Sequence, residues 1–325
     1  TLGRRLGLHG KILMSKRLIS VVIPAYNEEA CLLELASRLT AVMDANDNFG
    51  WEVIVVENGS SDSSWSVLGE ICRGDDRFRA IQLSRNFRAA GGITAGLTHA
   101  SGDACVIMMA DLQEPPELIP QLIEKWQQGF ENVYGLVTRR GGTGPVRRLN
   151  SRIFYWLAKK LTGETITPNA SDFRLVDRKV YEAVLSLNES NRFVRGLFSW
   201  VGFSSIGVPV EREARFGGVS NAHTLKVLQL AINGILAHTV VPLRLVTFTG
   251  FVSAILAMAV LGWFSYMFIF NGVPFDGFGT IVGLNLLGFS ILTLALGVIG
   301  EYLGLNYEES KNRPHFIVRD SMGLD

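Results

Sequence analysis

Whole classes of chemistry are missing from this chain. Its three cysteines, Cys31, Cys72 and Cys105, lie far apart and beside no paired histidine, so neither a disulfide framework nor a zinc site is indicated. Of the five histidines, His223 and His238 have no metal-ligand spacing around them and read as interface or core residues. No Gly-x-Gly-x-x-Gly fingerprint, P-loop or Ser-His-Asp arrangement is evident. An excess of one charge is also lacking, because 31 Lys and Arg stand against 30 Asp and Glu. The most informative absence is local: residues 245–270 hold no charged side chain in 26 positions, and 278–300 none in 23. Either run can cross a hydrocarbon layer about 30 Å thick at about 1.5 Å per residue. Two transmembrane helices are therefore expected, since buried helices of a soluble core would have to be unusually long and apolar all round.

The loop between these runs, 271–277, carries Asp276 but no Lys or Arg, whereas Arg244, Lys311, Arg313 and Arg319 flank the outer ends. By the positive-inside rule, both termini and the bulk of the chain are expected on the cytoplasmic side of the cytoplasmic membrane. Residues 1–17 are basic and Gly-rich without an apolar core, and read as an appended or disordered leader rather than a signal peptide, with Met14 a candidate start. The expected organisation is a cytoplasmic α/β domain over 18–222, an amphipathic interface helix over 223–243, two spans within 244–304 and a cytoplasmic tail over 305–325.

Within the first part, short apolar runs alternate with helical patterns: 18–24, 51–57, 78–83 and 104–110 read as strands, with helices after each. That order implies a mainly parallel sheet with crossover helices on its faces. Acidic groups stand at the ends of the first strand (Glu28), the second (Glu57) and the fourth (Asp111), which places three carboxylates along one rim. Open α/β sheets bind ligands at that rim. The run Val106-Ile-Met-Met-Ala-Asp-Leu-Gln-Glu-Pro-Pro-Glu117 ends a buried strand on a carboxylate, after which Pro115 and Pro116 break the strand. Asp111, a lone carboxylate beside Gln113 in a short polar turn, would suit one Mg2+ or Mn2+ ion shared with substrate phosphates. The alternative is that Asp111 only caps the next helix.

Five stretches in order carry a resemblance: Val21-Val-Ile-Pro-Ala-Tyr-Asn-Glu28, Val55-Val-Glu-Asn-Gly-Ser-Ser-Asp62, Leu83-Ser-Arg-Asn-Phe87, Asp111-Leu-Gln-Glu-Pro-Pro-Glu117 and Ser171-Asp-Phe-Arg-Leu-Val-Asp-Arg178. They resemble the motifs of glycosyltransferase family 2 and, with two C-terminal membrane helices, its polyprenyl-phosphate glycosyltransferases of the bactoprenol glucosyltransferase and dolichyl-phosphate mannose synthase type. The resemblance implies an α/β, GT-A-like, Rossmann-type nucleotide-sugar domain. It implies that Pro24, Ala25, Tyr26, Glu28, Glu57, Asn58, Arg85 and Asn86 bind the nucleotide sugar, and that Asp111 and Gln113 face a divalent metal and the diphosphate. Asp172 falls near the acceptor, where Asp111, Asp172 and Arg215 would form the catalytic set. The partners implied are a UDP-sugar, a polyprenyl phosphate and membrane lipids, with no nucleic acid, and the family's habit extends to a homo-oligomer, a tetramer among the possibilities. A GDP-mannose donor and a non-catalytic scaffold stay open as alternatives. Three positions depart from the family pattern: Met109 replaces the first acidic residue of the metal motif, Glu57-Asn58 replaces Asp-Asp, and Arg88-Ala89-Ala90 replaces Gly-Lys-Glu.

Two further stretches complete the reading. Residues 139–161 carry Arg139, Arg140, Arg147, Arg148, Arg152, Lys159 and Lys160 without an acidic residue, interleaved with Phe154, Tyr155 and Trp156. Such a helix suits the headgroup plane, although a solvated helix packed on the sheet has the same make-up. Residues 212–220 combine Arg212, Arg215 and Ser220 with a glycine pair in a loop suited to closing over a diphosphate. With Arg139 and Arg174, these are the candidate acceptor-phosphate residues. Asp172 and Arg174 alternate on one strand, so Asp172 would hold Arg174 or a loop arginine rather than act as a base.

Overall fold

The computed structural model describes residues 16–139, 170–189, 192–211, 241–271 and 277–324. Its strands are β1 (Leu18–Ala25), β2 (Gly50–Glu57), β3 (Phe78–Leu83), β4 (Ala104–Ile107), β5 (Asn132–Arg139), β6 (Ala170–Asp177), β7 (Ser205–Glu211) and β8 (Val318–Met322). The helices are α1 (Glu29–Ala45), α2 (Ser64–Gly74), α3 (Arg88–His99), α4 (Ile119–Gln127), α5 (Arg178–Leu185), α6 (Val194–Trp200), α7 (Val241–Asn271) and α8 (Phe278–Ser310). All eight strands join one sheet in the order β7-β5-β6-β4-β1-β2-β3-β8.

β1 lies at the centre of the sheet because it is apolar on both faces: seven of its eight residues are buried, as expected of a strand covered from both sides. It pairs in parallel with β2 on one side and β4 on the other. On one face α1, α2 and α4 pack Leu32, Leu35, Leu39, Leu68, Leu122 and Trp126 onto the sheet. On the other, α3, α5 and α6 contribute Ile93, Leu97, Val180, Val184, Leu197 and Phe198. Each such side chain contributes roughly 1.5–3 kcal/mol when fully buried. Gly96 lets α3 approach closely, for a Cβ there would stand 2.3 Å from Val22 Cγ1.

The chain runs β1, β2, β3 in one direction across the sheet, then returns to the other side of β1 for β4. This reversal makes the carboxyl ends of β1 and β4 a switch point, where a crevice opens between diverging loops. The sheet is mainly parallel, as expected, with β6 antiparallel to both β4 and β5, and β8 antiparallel to β3.

Two boundaries differ from expectation. β4 stops at Ile107 instead of Ala110; Met108 still donates to the Val22 carbonyl at 3.1 Å, and Leu112 then turns the chain with φ +56°. The tail expected over 305–325 is not simply a tail. α8 continues to Ser310, and the chain then comes back to add β8 to the outer edge of β3. On the way the Ile317 carbonyl accepts from Ser84 N at 2.9 Å, and Phe316 packs among the residues of the α3 face.

Stretches Val246–Met267 and Leu284–Ser310 of α7 and α8 are long and apolar enough to cross a membrane, and none of either apolar window is buried by protein. Phe251, Met258, Leu286 and Leu294 are among the side chains left exposed. Helices of a soluble core bury such residues, so these two helices are candidate membrane spans. Of the basic segment expected over 139–161 only Arg139 is described, and of the interface helix expected over 223–243 only 241–243, which belong to α7; the rest of both, and the loop 212–220, lie outside the described residues.

Candidate functional site

The rim at the carboxyl ends of β1 to β4 is built from four turns that brace one another. After β1, Asn27 takes φ +56°; its N–H donates to Ser60 Oγ at 3.0 Å and its Oδ1 accepts from Ser61 N at 2.9 Å. Glu28 N donates to Ser64 Oγ and Glu29 N to Asp62 Oδ2, both at 3.2 Å, while Ser63 N returns to Glu29 Oε2 at 2.7 Å. Burial pushes the Asp62 carboxyl upward, but hydrogen bonds from Ser64 and Glu29 outweigh it and hold the group below its ordinary value. The β1 and β2 turns are thus locked together by short polar side chains.

The β3 turn is tied to this pair through Asn58. Its Nδ2 donates to the Arg88 carbonyl at 2.8 Å and its Oδ1 accepts from Phe87 N at 2.9 Å. Arg88 holds φ +62°, a conformation a non-glycine residue keeps only when its surroundings over-determine it. A second bond, Arg88 N to Asn86 Oδ1 at 2.7 Å, adds to that restraint. An aspartate at 58 could accept but not donate, so the departure from Asp-Asp has a structural use here. Gly59 allows the same junction, since a Cβ there would fall 2.4 Å from the Arg85 carbonyl carbon.

The Asp111 turn closes the rim. Asp111 is 7% exposed and accepts from Gln113 N at 3.2 Å. The helical turn Pro116–Leu118 and α4 both start without a side-chain cap, so Asp111 does not cap the next helix. The turn is pinned on both sides: Glu114 Oε1 accepts from Ser171 Oγ of β6 at 2.6 Å, and Arg38 of α1 grips Glu117 with Nε to Oε1 at 2.8 Å and Nη2 to Oε2 at 2.6 Å. The Arg38 guanidinium accordingly holds the Glu117 carboxyl below its usual value. Asn27, Arg88 and Leu112, three of the four described non-glycine residues with positive φ, all stand on this rim. Strain of that kind gathers where a site is pre-shaped.

The expected site residues fall into distinct places. Tyr26 and Arg85 are exposed on the rim, with the Arg85 guanidinium 4.0 Å from the Phe87 ring centre, and Glu28, Asn86 and Gln113 are half-buried beside them. Pro24 and Ala25 are buried in β1, where they shape the floor. Glu57 is 1% exposed; its Oε1 accepts from Ser60 N, while Oε2 finds no hydrogen-bond partner among the described residues. A buried carboxylate oxygen without a donor is costly, and a ligand N–H or O–H would relieve it. Arg139 ends β5 opposite Glu211, while Arg212, Arg215 and Ser220 lie outside the described residues.

Arg174 requires correction as a direct phosphate contact. It is 3% exposed, donates from Nη2 to the Ser171 carbonyl at 2.9 Å and lies 4.7 Å from the Phe198 ring centre. Burial pulls its pKa down to about 10, opposed by the charge of Asp172 and reinforced by that of Arg195. Nor does Asp172 bond Arg174. It is gripped by Arg195 of α6, Nε to Oδ1 at 2.6 Å and Nη2 to Oδ2 at 2.5 Å. Nothing in the sequence pointed to Arg195, 23 residues away on another element. The braces Glu114–Ser171 and Arg38–Glu117 were equally hidden, because each joins segments distant in sequence.

Among the described residues, no three His, Cys, Asp or Glu side chains come together to cage a metal. Asp111 alone of the motif's acidic pair is present, Met109 occupying the other place. Such a donor set fits an ion that arrives with a diphosphate and keeps its phosphate and water ligands, as Mg2+ does. Two cavities, about 720 Å³ beside Trp65, Cys72 and Met322 and about 610 Å³ beside Arg17, Trp126 and Arg178, contain none of the rim residues.

The switch point of this α/β sheet thus carries two buried carboxylates, Glu57 at the end of β2 and Asp111 in the turn after β4. Residues 20–185 match Glycosyl transferase family 2, and the chain belongs to that family. It is a glycosyltransferase with a GT-A-like fold. It is 39% identical over 306 residues to the "Uncharacterized glycosyltransferase YkcC" of Bacillus subtilis, covering 94% of each chain. It is 33% identical over 303 residues to the "Bactoprenol glucosyl transferase" of Shigella phage SfII, covering 93% of this chain and 98% of that protein. Among solved structures, glucosyl-3-phosphoglycerate synthase from Mycobacterium tuberculosis, in complex with Mn2+, uridine-diphosphate and phosphoglyceric acid, aligns with a TM-score of 0.48 at 21% identity over 68% of this chain and 76% of that one.

Proposed function

We propose that this glycosyltransferase moves glucose from UDP-glucose to a polyprenyl phosphate at the cytoplasmic face of the membrane, with inversion at the anomeric carbon. The observation that carries the reading is the return of the chain from two unburied apolar helices to the same sheet that holds the rim. If α7 and α8 span, β8 can pair with β3 only when both outer ends of the hairpin lie on one side. The nucleotide site is then held next to the membrane surface, where a lipid acceptor presents its phosphate. Full-length similarity to a bactoprenol glucosyl transferase supports the same acceptor and sugar.

In this reading the uridine and ribose sit over Pro24, Ala25 and Tyr26, and Glu57 Oε2 takes a hydrogen bond from the nucleoside. Asp111 and Gln113 would hold a divalent ion, which supplies charge neutralisation for the departing diphosphate. An oxygen of the acceptor phosphate attacks the anomeric carbon and the bond from that carbon to the UDP oxygen breaks, so UDP leaves with the electron pair. The second pKa of a phosphate monoester is near 6, and the nucleophile is largely deprotonated at neutral pH. Positioning and electrostatics, rather than proton abstraction, therefore supply the rate. The pre-braced rim serves that purpose, since its turns need not reorganise during transfer.

The test uses the full chain in lipid vesicles with undecaprenyl phosphate and a panel of radiolabelled nucleotide sugars. Expected is a single-sugar lipid, extracted into organic solvent, formed from UDP-glucose. Transfer only from GDP-mannose would refute the donor, and a polymeric product would indicate a processive synthase. UDP release that does not depend on undecaprenyl phosphate would refute the acceptor.

A further inference from the structure

Arg88 has no ligand in the reading above, yet it holds an unfavourable place on the rim that nothing within the chain offsets. It opens α3 with φ +62°, the left-handed region that a residue with a Cβ keeps only when it is held there. Two amides hold it: Asn58 Nδ2 donates to its carbonyl at 2.8 Å, and Asn86 Oδ1 accepts from its N–H at 2.7 Å. Both bonds fix the main chain alone. The Arg88 side chain is exposed and makes no hydrogen bond, ion pair or ring contact among the described residues.

Its charge does not suit the helix either. The first turn of α3 holds no acidic residue and its start has no side-chain cap, so a cation there meets the positive end of the helix macrodipole. A glycine would be free of both penalties. What the arginine adds is a guanidinium that binds nothing in the chain itself.

The position of Arg88 narrows what it can bind. Gly92, one turn further along α3, lies against the ends of β1 and β2, for a Cβ there would stand 2.9 Å from Pro24 Cβ and 3.5 Å from Asn58 Nδ2. Arg88 therefore stands one turn nearer the rim, beside the floor formed by Pro24 and Ala25. On the same rim Glu57, the neighbour of Asn58 in sequence, keeps its buried Oε2 without a partner, which independently calls for a ligand. Arg85, the other cation of the β3 turn, is already stacked on Phe87 with its guanidinium 4.0 Å from the ring centre. A planar guanidinium matches paired phosphate oxygens, and a nucleoside diphosphate brings such oxygens to this rim.

We propose that Arg88 contacts the diphosphate of the nucleotide-sugar donor, and that its left-handed backbone is strain retained to aim it there. The proposal rests on the UDP-sugar reading above and deepens it by naming a donor contact. The alternative is a solvated arginine with no role in binding.

The test measures calorimetric binding of UDP and of uridine, together with thermal unfolding, on the full chain in lipid nanodiscs for wild type, Arg88→Gly, Arg88→Ala and Arg88→Lys. Arg88→Gly should weaken UDP binding about tenfold or more, the loss expected for one hydrogen bond to a charged group, and leave uridine binding within about twofold. The same variant should melt about 2–4 °C higher, because glycine relieves the strain. Arg88→Ala should lose as much UDP affinity without that gain, since alanine keeps the strained backbone, and Arg88→Lys, which keeps the charge but not the fork, should fall between. If the alanine variant does not fold, the glycine variant carries the test. Unchanged UDP affinity in the glycine variant, equal losses for UDP and uridine, or a loss that accompanies a lowered melting temperature in that variant would each overturn the proposal. Wild type that binds no UDP would overturn the UDP-sugar reading itself and the proposal with it; wild-type binding of UDP with unaltered variants overturns the proposal alone.

Discussion

Replacing Asp111 with Asn is the sharpest probe of the rim. The substitution is isosteric, and the oxygen that accepts from Gln113 N at 3.2 Å can be kept as an amide oxygen. With Asp111 only 7% exposed, what is lost is one negative charge in a site largely screened from water. Removing a single well-placed electrostatic contact costs about 2.7–4 kcal/mol of transition-state stabilisation, or roughly a hundredfold to a thousandfold in turnover. Because the braces from Ser171 and Arg38 act on Glu114 and Glu117, not on Asp111, the fold should hold. The assay is the initial rate of glucose transfer to undecaprenyl phosphate across a Mg2+ and Mn2+ series, with thermal unfolding of the same preparation as control. Turnover within about threefold of wild type at saturating metal, far short of that range, would refute the placement of the metal and diphosphate at Asp111.

Three further outcomes are expected. Glu117, paired with Arg38, has a depressed pKa, so its contribution to stability is present above the ordinary value of 4.5 and is lost as pH falls through the lower folded value; with its side chain half exposed this is worth less than about 1 kcal/mol after screening. Denaturant titrations of wild type and Glu117→Gln should therefore converge at low pH and differ at neutral pH, and a constant gap would contradict the pairing. Gly96→Ala places a Cβ 2.3 Å from Cγ1 of the fully buried Val22 on the central strand, and the overpacking cost of about 1–3 kcal/mol should exceed the gain of up to about 1 kcal/mol in helix propensity; a raised melting temperature would show that α3 can move away. Arg147, Arg148 and Arg152 changed together to Gln should weaken transfer to membrane-embedded acceptor far more than calorimetric UDP binding, and equal losses would count against a lipid-facing role.

By itself the sequence determined the first four strands, the strand that carries Asp172 and Arg174, and the two long apolar helices, in their order. The apolar runs of β1 and β2, the charge-free runs inside α7 and α8, and the carboxylates at strand ends are all periodic or local signals, and these survive without knowledge of the fold. Because those carboxylates follow the apolar runs directly, Glu28, Glu57 and Asp111 could be placed on one rim before any coordinates. Only the tertiary structure decided how that rim is held. The amide of Asn58 reaches the β3 turn, Glu114 reaches Ser171, and Asp172 chooses Arg195 over Arg174 two residues away. Each choice depends on which segments the sheet order brings together. The last strand shows the same limit: Val318–Met322 has an exposed face and no strong alternation, and it is ordered by the open edge of β3 rather than by its own composition. Local sequence carries the period of an element, but the partner of a side chain is set by the energy of the whole packed sheet, where burial and pairing are decided together.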